Sequence, residues 1–264
     1  MHKEAVAGPR EIVTVLYNPG HRLFQLAFTA DMTSAPIMNL WDLLRKHRIQ
    51  IVSSTLFNLH GKVGTWSVVL DSDDYGVTRQ GLTRILGELD FLGDLRVTGG
   101  NDLIIEDQYF PLLDSTGNRV MLITQESLQR MLTAMGELFG TGGTLISYQE
   151  GMALGSKATG RLRAAVKGDL RVFLREAVKL YGAMGIGRCD FVEANLDTLH
   201  FVARMHHNIE CEGKQADKPN SQWVRGHLCG AATTALQVQM QCNETKCAAM
   251  GDPWCEFVFD KQAV

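Results

Sequence analysis

Five of the six cysteines of this chain crowd into its last quarter: Cys211, Cys229, Cys242, Cys247 and Cys255. Cys247 and Cys255 form a Cys-x7-Cys pair across the turn Gly251-Asp252-Pro253, and Glu244 stands three residues before the first of them. Thiolates at such spacing, with a carboxylate beside them, are donors for a soft or borderline divalent metal. The competing reading is that buried free cysteines act as small hydrophobes. A second set, Phe201, Met205, His207 and Trp223, suits the wall of a small-molecule pocket. Such pockets are mostly apolar with a few polar groups that fix orientation. His207 and Trp223 supply those groups here, while each aromatic taken singly also reads as core.

The elements that position these residues read as a mixed α+β unit. A helix starting near Ser127 carries Leu128, Met131, Leu132 and Met135 and runs to the glycines of Gly140-Thr-Gly-Gly143. That run lacks the Gly-Lys-Ser/Thr ending of a phosphate loop, so it reads as a helix-to-helix turn, with the next helix spanning Tyr148 to about Leu162. Asp169 to Met184 reads as an amphipathic helix with Val172, Phe173, Ala177, Leu180 and Tyr181 on its stripe. Phe191–Asn195 and Leu199–Cys211 alternate as strands. Phe201, Met205, His207 and Cys211 then share the apolar face. A helix starts at Pro219-Asn-Ser221 and carries Trp223, Val224, His227, Leu228 and Ala231 on one face. Its Gly226 and Gly230, four apart, leave room for a second backbone. Val238–Cys247 and Trp254–Asp260 close the unit as an antiparallel pair.

The first hundred residues read differently. Leu23–Phe28 is an apolar strand. Ser34 and Pro36 start a helix with Ile37, Leu40, Trp41 and Leu44 on one face. Ile49–Phe57 and Thr65–Leu70 are strands joined by Asn58-Leu-His-Gly61. Val77–Leu89 is a helix with Leu82, Ile85, Leu86 and Leu89 inward, and Gly93–Thr98 a last strand. The order βαββαβ is a ferredoxin-like split βαβ unit. The polar stretch Gln108–Arg119 marks the boundary, giving domains at 1–107 and 108–264.

The totals fit two small domains in 264 residues. A net charge of −3 argues against a nucleic-acid surface. No apolar run approaches the roughly 18–20 residues that span a bilayer, and the first residues lack the apolar core of a signal peptide. The expectation is a cytoplasmic protein whose cysteines are thiols or metal ligands, not disulfides.

Two resemblances attach to these residues. The element order of the first hundred residues resembles the ACT family of regulatory modules, which implies amino-acid binding and dimerisation through the sheet. No glycine-rich ligand loop follows the first strand, so only the dimerising role carries over. The runs Arg225-Gly-His-Leu-Cys-Gly230, Glu244-Thr-Lys-Cys247 and Gly251-Asp-Pro-Trp-Cys255-Glu-Phe257 resemble the 4-vinyl-reductase-like domain, as do Gly140-Thr-Gly-Gly-Thr, Gly151 and Gly155. That fold is similar to transport-particle subunits that hold an acyl chain and to the phenol-sensing domain of some bacterial activators. The resemblance implies an apolar small-molecule pocket and a homodimer. In the phenol-sensing members zinc is held by three cysteines and a glutamate. Glu244, Cys247 and Cys255 match three of those positions, and Ser221 stands at the fourth. Cys211 or Cys229 is then the substitute thiolate, and Cys211 is the better placed of the two.

The resulting expectation is a ligand-sensing regulatory protein that binds a small apolar or aromatic molecule and passes its signal to a protein partner. No nucleotide fingerprint and no nucleophile–base pair at a recognisable spacing argue for catalysis. The alternatives are an accessory factor or enzyme acting on a tetrapyrrole or related cofactor, and a scaffold subunit.

Overall fold

The computed structural model describes residues 22–31, 37–72, 76–100, 109, 111–114, 117–165 and 169–263. The chain divides into two compact units, Met1–Val120 and Met121–Val264, each with its own sheet.

The first unit runs β1 (Arg22–Asp31), α1 (Ile37–Lys46), β2 (Gln50–His60), β3 (Val63–Ser72), α2 (Arg79–Leu86) and β4 (Gly93–Gly99). Its antiparallel sheet has the order β2-β3-β1-β4, the strand order of the split βαβ unit. Central β1 reads Leu-Phe-Gln-Leu-Ala-Phe and is buried from Leu23 to Phe28. Phe24, Leu26 and Phe28 pack with Leu40 and Leu44 of α1 and Leu82 and Leu86 of α2. Several boundaries differ from the sequence reading. The β2–β3 hairpin turns at Gly61–Lys62, because pairing continues to His60↔Val63 across a register shift. Helix α2 is shorter, starting after Thr78, whose hydroxyl accepts the Gly81 N–H, and ending at Gly87. The Ser34–Pro36 helix start lies outside the described residues.

The second unit runs α3 (Gln125–Phe139), α4 (Thr141–Ala165), α5 (Leu170–Ala183), β5 (Arg188–Asn195), β6 (His200–His206), α6 (Gln222–Leu236), β7 (Met240–Lys246) and β8 (Cys255–Lys261). Its antiparallel sheet has the order β5-β6-β8-β7. The fold is α+β throughout.

Gly140, at a φ of 57°, ends α3, and α4 begins at once, taking in the run Gly142–Ser147 that the sequence places before the helix. The first turn of α4 needs glycine at position 143, where a Cβ would strike the Met135 carbonyl of α3. Helix α5 starts under Asp169, whose carboxylate accepts the Arg171 N–H at 2.8 Å. Its buried stripe is Phe173, Leu174 and Tyr181, with Leu174 in place of the expected Val172, which is 40% exposed. Strand β6 stops at His206 and does not reach Cys211. His207 takes a φ of 54°, a left-handed conformation that a strand cannot continue through, so the alternation read over 199–211 breaks there.

Helices α4 and α6 meet backbone to backbone. A Cβ at Gly226 would land on the Tyr148 carbonyl, and one at Gly230 on that of Met152. Reciprocally, a Cβ at Gly151 would land on the Trp223 carbonyl and one at Gly155 on that of His227. The contacts advance along both helices in the same direction. The Ser156 hydroxyl donates to the Gly230 carbonyl at 3.2 Å. Gly155→Ala or Gly226→Ala is therefore expected to cost roughly 1–3 kcal/mol, the usual range for overpacking. Chemical denaturation checks it, and an unchanged midpoint for both variants would contradict the close contact.

Candidate functional site

Two sites are built on α6, one at each end. At its start, the turn after β6, the bulged end of β7 and the β7–β8 connection converge. Donor atoms of Cys211, Glu244, Cys247 and Cys255 all lie within 4.8 Å of one another. The three cysteines are buried, and Cys211 Sγ lies 3.5 Å from Cys247 Sγ. Cys211 arrives there through a turn in which its N–H donates to the Asn208 carbonyl at 2.9 Å. Gly251, at a φ of 99°, folds the β7–β8 connection back. Asp252 accepts the Cys247 N–H at 2.9 Å, and Cys255 Sγ accepts that of Ala248 at 3.4 Å.

Ser221 sits inside this cluster. Its hydroxyl donates to Glu244 Oε1 at 2.7 Å, accepts from Asn208 Nδ2 at 2.8 Å, and lies 3.0 Å from Cys211 Sγ. It occupies the N-cap position of α6 yet makes no capping bond with its side chain. Glu210 does that work instead: its carboxylate accepts the Trp223 N–H at 3.2 Å and the Val224 N–H at 2.6 Å.

Burial pushes Glu244 up to about 7, against the opposing hydrogen bonds from Ser221. Burial likewise pushes Glu210 up to about 8 against the Val224 and Trp223 N–H groups. Hydrogen bonds from Cys211 and Cys247 pull Cys255 below the ordinary thiol range. The same contacts hold Cys211 above that range. The set of three sulfurs and a carboxylate at mutual contact distance fits a four-coordinate divalent ion, because a closed site of this kind takes four strong donors. Cys229 is not part of the group: its thiol donates to the Met240 carbonyl at 3.2 Å.

The second site is a cavity of about 40 Å³ beside the far half of α6. Phe173, Ala177 and Tyr181 of α5, Phe191, Phe201 and Phe259 of the sheet, and Leu228 and Leu236 of α6 contribute to its walls. Thr159 and Tyr181 are the polar side chains of the lining. Tyr181 Oη lies 3.0 Å from His227 Nδ1. Burial keeps the Tyr181 phenol protonated and pulls His227 down to about 4, a neutral imidazole. One proton lies between the two atoms. If Tyr181 donates it, the phenol oxygen can still accept; if His227 donates it, the phenol can donate into the cavity.

Of the four residues expected to line a pocket, Phe201 is in the cavity wall. Trp223 is not in the wall; its ring lies 5.7 Å from that of His227. Met205 is fully buried in the core, filling the space against Gly187. His207 is exposed and bonds Glu212 at 2.7 Å, because the left-handed turn at that residue carries it off the sheet. Sequence reasoning missed Phe259 as a wall residue, and it read Tyr181 and His227 only as members of helical stripes.

Residues 201–261 match the family model of the 4-vinyl-reductase domain. Among solved structures, the chain is similar to the phenol-responsive sensory domain of the transcription activator PoxR with phenol. The identity is 14% and the TM-score 0.51, over 55% of this chain and 77% of that one. A trafficking protein particle complex subunit 3 from Naegleria fowleri, covalently bound to palmitic acid, matches at 11% identity and a TM-score of 0.39. The match spans 53% of this chain and 98% of that one. A vinyl-4-reductase family protein from Methanocaldococcus jannaschii matches at 14% and 0.36, over 56% and 100%. No curated protein matches the sequence. The first likeness shows the fold, and no described helix is long and apolar enough to cross a membrane.

His227 gives the second unit a pH dependence. The imidazole titrates at about 4 in the fold against 6.5 ordinarily, so between those values the unfolded chain binds more protons and stability rises with pH. The contribution is complete above pH 6.5 and is lost as pH falls toward 4, amounting to roughly 3 kcal/mol. Urea titrations across that window check it. His227→Gln is expected to remove this rising contribution, so that the wild-type-minus-variant difference in stability grows with pH between about 4 and 6.5. The buried Glu210 and Glu244 carboxyls contribute the opposite slope in both proteins. A difference that does not change with pH would contradict the assignment.

Proposed function

We propose that the second unit senses a small, mainly apolar molecule that it encloses in the cavity between α5, α6 and the sheet. The observation that carries this reading is a wall of aromatic and aliphatic side chains in which Tyr181, bonded to His227 outside the lining, is one of the few polar members. A neutral ligand with one hydroxyl suits that pair, because the shared proton lets Tyr181 either accept or donate. The phenol response of the PoxR sensory domain supports the same chemistry for this chain. A cavity of about 40 Å³ has room for a few waters at most, so a ligand of aromatic size enters by displacing part of the wall. The lining is apolar apart from Thr159 and Tyr181, which favours binding over catalysis, with the signal passed to a protein partner.

Cys211, Glu244, Cys247 and Cys255 hold zinc in this reading, and the ion braces the β6 turn, the β7–β8 connection and the start of α6. Cys211 serves in place of Ser221, whose hydroxyl orients Glu244. The six cysteines are all free and buried, in keeping with a reducing, cytoplasmic setting. The first unit is an ACT-like module through which two copies of the chain pair, a role supported by its split βαβ strand order.

Native mass spectrometry with elemental analysis tests the zinc and the pairing together. The expected species carries two chains and one zinc per chain. Cys247→Ala should lose the metal and melt several degrees lower. A chain grown with zinc that carries none, or a variant with unchanged metal and melting, would sink the zinc reading. For the ligand, calorimetric titration with phenol is expected to show binding that Tyr181→Phe weakens by up to about tenfold, the worth of one hydrogen bond. Absence of heat and of any thermal shift with phenol and with short alcohols would overturn the apolar-ligand reading.

A further inference from the structure

We infer that Glu210 is a positioning residue that links the donor cluster to the apolar cavity through α6, so that a change at one site is felt at the other. The inference rests on the two sites of the reading above and adds a connection between them. Glu210 and Cys211 are adjacent in one short turn. That turn is closed by the Cys211 N–H on the Asn208 carbonyl at 2.9 Å and by the Glu210 N–H on Asn208 Oδ1 at 3.1 Å. A shift of Cys211 toward or away from its fellow donors therefore carries the Glu210 carboxylate with it. That carboxylate, 3% exposed, holds two of the first-turn N–H groups of α6 at 3.2 and 2.6 Å. These donors have no partner within the helix.

Ser221 reinforces the hold from the other side. Its N–H donates to one Glu244 oxygen at 3.1 Å and its hydroxyl to the other at 2.7 Å. Both residues that fix the start of α6 are thus a neighbour of a donor or bonded to one. Sequence position alone would make Ser221 the cap, and its hydroxyl is committed to the cluster instead.

Helix α6 transmits what its first turn receives. The glycine contacts with α4 leave no side-chain layer to absorb a rotation or a shift. The far half of α6 supplies Leu228, Ala232 and Leu236 to the cavity wall. Between the two ends, His227 bonds Tyr181 and so brings in α5, the opposite wall. By linkage, whatever factor a filled donor cluster applies to the cavity, a filled cavity applies to the donor cluster.

Hydrogen exchange on the full chain, with zinc and after chelation, tests this in the wild type and in Glu210→Gln. In the wild type, zinc is expected to slow exchange at the start of α6 and also across α5 and the far half of α6, by about tenfold, within the range usual for coupled sites. In Glu210→Gln, zinc stoichiometry should stay at one per chain while the slowing stops short of the cavity walls. A merely structural role would speed exchange in the variant with and without zinc alike, and leave the zinc increment intact. The proposal is overturned if the increment at the cavity walls is equal in both proteins, or if bound zinc changes nothing there in the wild type. Zero zinc in the wild type sinks the metal reading by itself. The linkage is then read from Cys211→Ala, whose altered exchange must reach α5 with Glu210 present and fail to reach it with Gln. Should Glu210→Gln not fold, Glu210→Asp, which withdraws the carboxyl group by one carbon, carries the same comparison.

Discussion

The second unit depends on one contact, the backbone approach of α4 and α6. Two helices usually keep about 8–10 Å between axes because side chains fill the gap. Here four glycines, two on each helix, remove those side chains and set carbonyl oxygens where Cβ atoms would be. This fixes α6 in rotation as well as position. A rotation of α6 would at once misplace Glu210's partners at its start, His227 in its middle and the cavity wall at its end. Both candidate sites inherit their geometry from that restriction.

Much of this was legible in the sequence where one residue type has one physical use. The βαββαβ order of the first unit follows from apolar stripes and their spacing, and the sheet places those strands as the split βαβ unit requires. Gly226 and Gly230 announced a close approach, although nothing in the spacing said that Gly151 and Gly155 would be the other half. Cys247 and Cys255 were brought to one place by the turn between them, whose Gly251 takes the left-handed conformation that glycine permits. The arrival of Cys211 depended on a turn hidden inside an apparent strand. A histidine in a left-handed conformation is rare enough that alternation of apolar residues outvoted it.

The cavity was harder to read for a different reason. A wall residue and a core residue have the same composition and periodicity, and only the missing atoms between them separate the two. Phe201 lines a space while Met205, further along the same face, fills one. Tyr181 and His227 lie 46 residues apart, and no local pattern pairs them. Their hydrogen bond exists because the fold brings the end of α5 to the middle of α6. Likewise, Ser221 reads as an ordinary helix cap until Glu244 is seen to take its hydroxyl.

The direction of α6 also has an electrostatic meaning. The aligned peptide dipoles of a helix leave about half a positive charge at its start. On α6 that end points at the carboxyl groups of Glu210 and Glu244, which accept its first-turn N–H groups and that of Ser221. The helix start is thus seated against carboxyl oxygens that accept its N–H groups whether or not they carry a full charge. Sliding it outward by even one residue's rise, about 1.5 Å, would break those bonds in a place where little water can replace them. The second unit is consequently held along the axis of α6 by the hydrogen bonds at its start. Across that axis, α5 meets α6 through the Tyr181–His227 bond and the apolar walls of the cavity.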